Sequence, residues 1–291
     1  MNDDIPSDAI ETEDGFILIY NRGVYSSVVE GGFLKVDQDG NILDSLFIDN
    51  PSGYNAFSFT DMYDATGSFY SIRSVKNLKD NDRQINLFHI SDELEILWDT
   101  IYGDPAFSEH VFGNSITHDN KVLTVGREED SYSEIYLGEF DLNTHQYRYK
   151  TFSGFSSFLS STIIDLQNTP YYDMYLYFDN DHNFLKINKQ NLSIDSVIQY
   201  PVRFNPRNAI EGILDSTYFV AGTHSVLTHF VPSFLQVSYD GEIIKHIQFE
   251  TENDTNVYYT YNSFDHKYQK IYFTVTYNFP QEPPFPHYPQ Q

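Results

Sequence analysis

A hairpin motif that returns every 47 to 54 residues, two strand-like segments ahead of each copy, and an aromatic content of 17% predict an all-β fold. Four strands per repeat of roughly 50 residues is the spacing of a β-propeller blade. The expected architecture is a six-bladed β-propeller-like ring of four-stranded antiparallel blades, with the sixth blade incomplete. Flat and β-branched side chains suit a pleated, half-buried surface, and helical periodicity is nowhere sustained.

The hairpin supplies the third and fourth strands of each blade. It reads FLKVDQDGNILDSLF from Phe33, LFHISDELEILWDTI from Leu87, LGEFDLNTHQYRYKTF from Leu137, FLKINKQNLSIDSVI from Phe184 and FLQVSYDGEIIKHIQ from Phe234. Asp39-Gly40 and Asp240-Gly241 supply the positive φ that tight hairpin turns need, and Asn143 and Asn191 are expected to serve elsewhere. A second strand precedes each hairpin: FILIYN from Phe16, FYSIRS from Phe69, KVLTVG from Lys121, MYLYFD from Met174, YFVAGT from Tyr218 and IYFTVTYN from Ile271. A weaker first strand precedes each of these, from Ala9, Phe57, Asn114, Ser161, Ala209 and Val257. One domain is therefore expected over 9–279, with blades at 9–48, 57–102, 114–152, 161–200, 209–249 and 257–279. A β-helix would repeat at a much shorter interval, and a pair of sandwiches would show no regular period.

By the spacing of the other blades, a third strand of the sixth would begin between 281 and 289. That stretch lies in the proline-rich QEPPFPHYPQQ, so 280–291 reads as loop or tail. Two readings stand: a truncation inside the sixth blade, or a two-stranded last blade with a frayed tail.

The chain carries 42 acidic and 17 basic residues, a net charge of -25. Such a surface repels phosphate backbones and anionic lipid, which disfavours nucleic acid and membrane partners. The acid either keeps an aromatic-rich chain soluble or concentrates cations such as Ca²⁺. With no cysteine there is no disulfide, thiolate metal site or cysteine nucleophile. No run of 18 apolar residues is present, and the acidic MNDDIPSDAI is unlike a signal peptide.

ETEDGFILIYNRG followed by FLKVDQDGNILDSLF resembles the secreted propeller repeats common in Bacteroidetes-type bacteria, and ILWDTIYGD at 96–104 fits their second half best. The resemblance covers residues 9 to 279, with the third and fourth blades departing most. It implies export, often as type IX secretion cargo with a C-terminal sorting domain that is not present in this sequence. The family offers no general catalytic residues to carry over.

Turns between first and second strands hold Asp14, Asp64, Asp119, Asp215 and Asp265, ordinary turn residues more simply than an acidic ring. The opposite rim is expected to carry longer loops at 50–57, 102–113, 153–161, 200–208 and 223–233, the last adding His224 and Phe230. Binding residues concentrate on loops held by a rigid scaffold. Tyr54, His110, Phe155, Arg203, Arg207 and His229 are accordingly the candidate contacts for a protein or glycan ligand; the plainer reading pairs the two arginines with nearby carboxylates. Asp179, Asp181 and Asn183 in DNDHN place oxygen ligands at alternating positions, as Ca²⁺ sites do, but without the glycine and distant glutamate of an EF-hand loop. No zinc-protease, nucleophile-elbow, phosphate-loop or dinucleotide motif appears. The expected function is a non-enzymatic, exported or cell-surface binding module, monomeric and needing no cofactor. The rivals are a carbohydrate-active enzyme using axial carboxylates, whose pairing is spatial and invisible in sequence, and a structural spacer.

Overall fold

The computed structural model describes residues 4–22, 30–65, 67–103, 109–128, 134–155, 160–166, 169–178, 181–200, 204–211, 217–226, 229–249, 256–265 and 270–278. The chain divides into two compact units, Met1–Gly154 and Phe155–Gln291. In the first, β1 (Asp4–Thr12), β2 (Gly15–Arg22), β3 (Glu30–Asp37) and β4 (Ile42–Ile48) form one antiparallel sheet. The second sheet holds β5 (Tyr54–Ala65), β6 (Ser68–Asn77), β7 (Arg83–Ser91) and β8 (Ile96–Tyr102). The third holds β9 (Glu109–Ile116), β10 (Lys121–Glu128), β11 (Glu134–Asp141) and β12 (Tyr147–Ser153).

The second unit continues the pattern. Its first sheet holds β13 (Ser160–Asp165), β14 (Tyr171–Phe178), β15 (Asp181–Asn188) and β16 (Ile194–Tyr200). The next holds β17 (Phe204–Glu211), β18 (Thr217–Val226), β19 (His229–Ser238) and β20 (Ile243–Gln248). β21 (Asn256–Asp265) and β22 (Lys270–Asn278) make a two-stranded sheet. Five complete blades are thus present, each strand pairing with its neighbour in sequence.

The turn between third and fourth strands is specified by its first residue. Asp37 accepts hydrogen bonds from the backbone N–H groups of Asp39 (2.9 Å) and Asn41 (2.8 Å), and Asp141 from those of Asn143 (2.9 Å) and Thr144 (2.8 Å). Asn188 accepts from Gln190 (2.9 Å), while the Ser91 and Ser238 hydroxyls accept from Glu95 and Glu242, both at 3.0 Å. Each cap satisfies donors that the turn leaves without a ladder partner. Hydrogen bonds from Asn41 hold the Asp37 carboxyl below the ordinary carboxylate range, and those from Thr144 do the same for Asp141.

Gly40 and Gly241 take the expected left-handed conformation, at φ 84° and 89°. Asn143 and Asn191 do not: His145 (φ 56°) and Leu192 (φ 54°) occupy that position, and Leu94 (φ 60°) does so in the second blade. The cause is turn length. The connections from Asp37, Ser91 and Ser238 close on the fourth residue, whereas those from Asp141 and Asn188 close on the fifth, with His145 N–H donating to Asp141 and Leu192 N–H to Asn188, both at 2.8 Å. The extra residue moves the left-handed position from Asn191 to Leu192, while Asn143 stands two residues before it.

These turns pack on the preceding blade. Leu94, 5% exposed, lies in a core with Ile17, Ile19 and Phe33 of the first blade and Phe59, Phe69 and Phe88 of the second. Leu142 of the third blade joins Ile72, Ile85, Leu87 and Tyr102 of the second. In the second unit, Tyr175 and Phe184 pack with Tyr218, Val220 and Leu235. A Cβ at Gly241 would lie 2.6 Å from Phe184 and 2.8 Å from Ile198, so glycine is required there by space as well as by φ. Polar groups reinforce the contact: Asn21 bonds both ways to the backbone of Phe59 (2.9 and 3.1 Å) where β5 departs from regular register. Buried Arg73 donates to the carbonyls of Ile48 (3.4 Å) and Asp49 (2.9 Å) and lies over the rings of Phe59 and Phe88.

Segments expected to be rim loops are partly strand. In 223–233, Thr223–Val226 belongs to β18 and His229–Ser233 to β19, with His224 opposite Val231 and His229 opposite Val226. Phe204–Asn208 lies in β17, and Glu109–Gly113 in β9. Pro206 sits beside a bulge, and Pro232 needs only its carbonyl, which accepts from Phe249 N–H at 3.0 Å. The tail 280–291 lies outside the described residues.

Leu94 offers a test of turn docking. Leu94→Ala loses core burial without relieving the left-handed backbone and is expected to cost about 2–4 kcal/mol. Leu94→Gly loses the same burial but gains backbone relief of about 1 kcal/mol, so glycine is the milder substitution. Denaturant unfolding of both variants checks the order.

Candidate functional site

Of the six sequence candidates, Tyr54 and Phe155 have described side chains, and they belong to different units. Tyr54 opens β5, is half-buried, and donates its hydroxyl hydrogen to Gln84 Oε1 at 3.0 Å. Phe155 is buried, 9% exposed, and so packs as core rather than presenting its ring. His110 lies in β9 opposite Arg127, Arg207 falls at the β17 bulge between Pro206 and Asn208, and His229 opens β19. These three are strand residues rather than loop residues, and their side chains, like the whole of Arg203, lie outside the described residues.

The acidic turns have local explanations. Asp14 is exposed. Burial and the nearby Asp92 charge push the Asp64 carboxyl up. Asp119 accepts from Thr117 Oγ1 at 2.6 Å and pairs with Lys121 at 2.7 Å; burial opposes ionisation, but these partners hold its pKa below the ordinary value. Asp215 is outside the described residues, and Asp265 ends β21. Asp181 and Asn183 are likewise β15 residues, opposite Phe178 and Leu176; Asp179 is outside the described residues. Among the described residues no group of three His, Asp or Glu side chains is poised to hold a metal.

A second set of polar residues was missed by the sequence reading. Two positions before each turn cap, within an otherwise apolar third strand, stand Lys35, His89, Glu139, Lys186 and Gln236. Three of them reach the next blade directly or through one ring. Lys35 pairs with Glu93 in the following turn at 3.0 Å. His89 contacts Trp98 at 5.6 Å, and Trp98 contacts His145 in the next turn at 5.0 Å. Lys186 donates to the Tyr239 carbonyl at 2.5 Å. Glu139, buried, receives a bidentate pair from Arg148 at 2.8 Å, with Lys121 at 3.6 Å. The recurrence itself, in FLKVD, LFHIS, LGEFD, FLKIN and FLQVS, was the available signal.

Lys186 also faces Asp173, its direct cross-strand partner. Asp173 is fully buried, neither carboxylate oxygen has a hydrogen bond of ordinary geometry among the described residues, and Lys186 Nζ is 3.5 Å away. Burial outweighs the attraction of Lys186 and the Tyr218 hydroxyl and pushes the Asp173 carboxyl up to about 7. The hydroxyls of Tyr175 and Tyr218 are in contact on the same side of the blade. Lys189 pairs with Asp165 at 2.5 Å and caps the Leu166 carbonyl at 3.1 Å.

The second and third blades share a continuous row of rings. Tyr70 stacks on His89 (4.4 Å), and the row runs through Trp98 and His145 to Phe140 (5.9 Å), Tyr102 (4.7 Å), Tyr147 (5.0 Å) and Tyr149 (6.0 Å). Phe140 and Tyr102 are buried; Trp98 and Tyr147 are half-buried; His145 and Tyr149 are exposed. Burial holds His89 below the ordinary histidine pKa.

No family model matches the sequence, and no curated protein matches it. Solved structures do match. The Dos1 propeller aligns with 94% of this chain and 64% of its own, at a TM-score of 0.54 and 10% identity. Trypanosoma rangeli sialidase aligns over 94% of this chain and 52% of its own (TM-score 0.59, 7% identity). Parainfluenza virus 5 hemagglutinin-neuraminidase aligns over 93% of this chain and 85% of its own (TM-score 0.51, 11% identity). At such identities the likeness establishes fold alone. The chain is an all-β β-propeller built of four-stranded antiparallel blades.

The Asp173 site has a defined pH signature. Its folded pKa, about 7, lies above the unfolded value near 4, so the folded state binds more protons between them and this group's contribution to stability falls as pH rises through 7. Asp173→Asn is expected to be more stable than the parent at pH 8 by about 1–2 kcal/mol, or roughly 3–6 °C. The gap should shrink as pH falls below 7 and close near pH 4, where both states bind the proton. Melting curves of the two proteins at both pH values check it; a gap independent of pH contradicts it.

Proposed function

We propose that this chain is a non-enzymatic binding module, a single six-bladed propeller over 9–279 in which β21 and β22 are the inner half of the sixth blade. Its resemblance to secreted bacterial repeats supports an exported or cell-surface location. The observation that carries the binding reading is the aromatic row of the second and third blades. Packing alone accounts for Phe140 and Tyr102. It does not account for the continuation of the row through half-buried Trp98 and Tyr147 to exposed His145 and Tyr149. Aromatic side chains with one buried and one wet face are enriched where proteins bind partners, and rigid rings lose little conformational entropy on binding.

The ligand class that fits best is a neutral glycan. A pyranose ring has an apolar face that lies flat on an aromatic side chain and hydroxyls that stay in water. The net charge of -25 disfavours anionic ligands. The reading involves no metal or cofactor.

Trp98 is the one tryptophan in the chain, so intrinsic fluorescence reports on this surface directly. Titration with neutral oligosaccharides should shift or quench the emission with saturation, and Tyr149→Ala with Tyr147→Ala should weaken binding at least tenfold with the fold retained. Saturable glycan binding that leaves Trp98 emission unchanged and survives both substitutions places the site elsewhere. Release of a cleaved sugar product overturns the non-enzymatic reading.

A further inference from the structure

The two-stranded sheet differs from the other five in how its second strand is paired among the described residues. In each complete blade the second strand (β2, β6, β10, β14 or β18) is paired along both edges. β22 holds the same place in the repeat, yet among the described residues it pairs only with β21. Among the described residues, the backbone donors and acceptors that alternate residues of this nine-residue strand turn outward have no ladder partner. Natural edge strands are protected by charge, proline, bulges or brevity. β22 has a lysine only at its first position, no proline and no acidic residue, and reads Ile271-Tyr-Phe-Thr-Val-Thr-Tyr277 between Lys270 and Asn278. Its one register shift with β21 lies near Val257, at the far end of the ladder.

We infer that this edge is the interface of a symmetric homodimer, in which β22 of one copy pairs antiparallel with β22 of a second. Three observations favour a second copy over other occupants. Two such half-blades give a sheet of order β21-β22-β22-β21, four strands and wholly antiparallel, the size and pattern of the other five sheets in this chain. A two-fold axis through an antiparallel pair sets one residue opposite itself, and pairing the whole of β22 sets that residue at Thr274, the centre. Phe273 then lies opposite Val275, Tyr272 opposite Thr276 and Ile271 opposite Tyr277, pairs of the aromatic and β-branched kinds that stabilise adjacent strands. Finally, the chain is strongly acidic, and copies of it repel one another; a segment from Ile271 to Asn278 without any charge is where they can meet without placing like charges opposite each other. This replaces the monomer expected from the sequence. It does not depend on the ligand reading, since β22 is remote in sequence from Trp98 and Tyr149.

The absence of native cysteine allows a clean test. Directly opposed Cα atoms in an antiparallel pair are roughly 4.5–5.5 Å apart, within the span of a disulfide. Thr274→Cys should therefore give a disulfide-linked dimer under mild oxidation. Lys270→Cys should not, because the two copies of residue 270 would lie about 27 Å apart at ~3.4 Å per residue. By light scattering, the unaltered chain should run at twice its 33.9 kDa mass. Thr274→Lys, which places two ammonium groups opposite each other, should be monomeric, as should Thr274→Glu; mixing the two should restore a heterodimer. Recovery on mixing shows that each variant is folded. A monomer for the unaltered chain overturns the inference, and a dimer that appears only after deletion of 279–291 assigns the edge to the chain's own tail. A dimer indifferent to both Thr274→Lys and Thr274→Glu also overturns it, because it would use another surface.

Discussion

Docking of an outer hairpin turn onto the blade before it is the contact on which the rest of each unit depends. A four-stranded sheet by itself has two apolar faces and cannot bury both. Here the third strand supplies the core residues of its own blade, and the turn that follows carries one more apolar side chain backwards: Leu94 into the first blade and Leu142 into the second. Gly241 does the converse, giving up its side chain to make room for Phe184 and Ile198. The Asp, Asn or Ser cap makes this possible by fixing the turn before it meets its neighbour.

The polar residues inside the blades follow from the same arrangement. A lysine or glutamate in a buried strand is costly unless it finds a partner. Lys35, Lys186 and Glu139 each find one: the next turn for Lys35, the next turn's backbone for Lys186, and an adjacent strand for Glu139. Asp173 is the exception in degree. Its partner Lys186 also serves the Tyr239 carbonyl, so the carboxylate is left with an attraction at 3.5 Å and no ordinary hydrogen bond. The Asp173 site makes stability sensitive to pH.

Much of the fold was legible because the repeat is written in local chemistry. Alternating apolar positions and Asp-Gly turns are properties of a few neighbouring residues, and every strand expected from them is present within a few residues of its expected start. What was not legible depended on turn length or on neighbours distant in sequence. His145 and Leu192 take the left-handed conformation because one inserted residue moved the position, and no propensity favours leucine there. The 223–233 segment is strand because its ladder has a partner across it, a pairing that local composition does not reveal. The site was less legible than the fold. Trp98, His145 and Tyr149 belong to different strands and turns and come together only when the second and third blades pack. Rim loops drew attention in the sequence because they are unusual in composition, yet the surface with aromatic continuity lies on outer strands that look like ordinary repeat.

If turn docking holds the blades together, its loss must be felt in the blade that receives the turn. Native-state hydrogen exchange on Leu142→Ala reads this residue by residue. The account predicts that amides of β6 and β7, around Ile72 and Leu87 in the second blade, lose protection together with those of β11 and β12. Loss confined to β11 and β12, with β6 and β7 exchanging as in the parent, would show that each blade holds itself and would contradict the account.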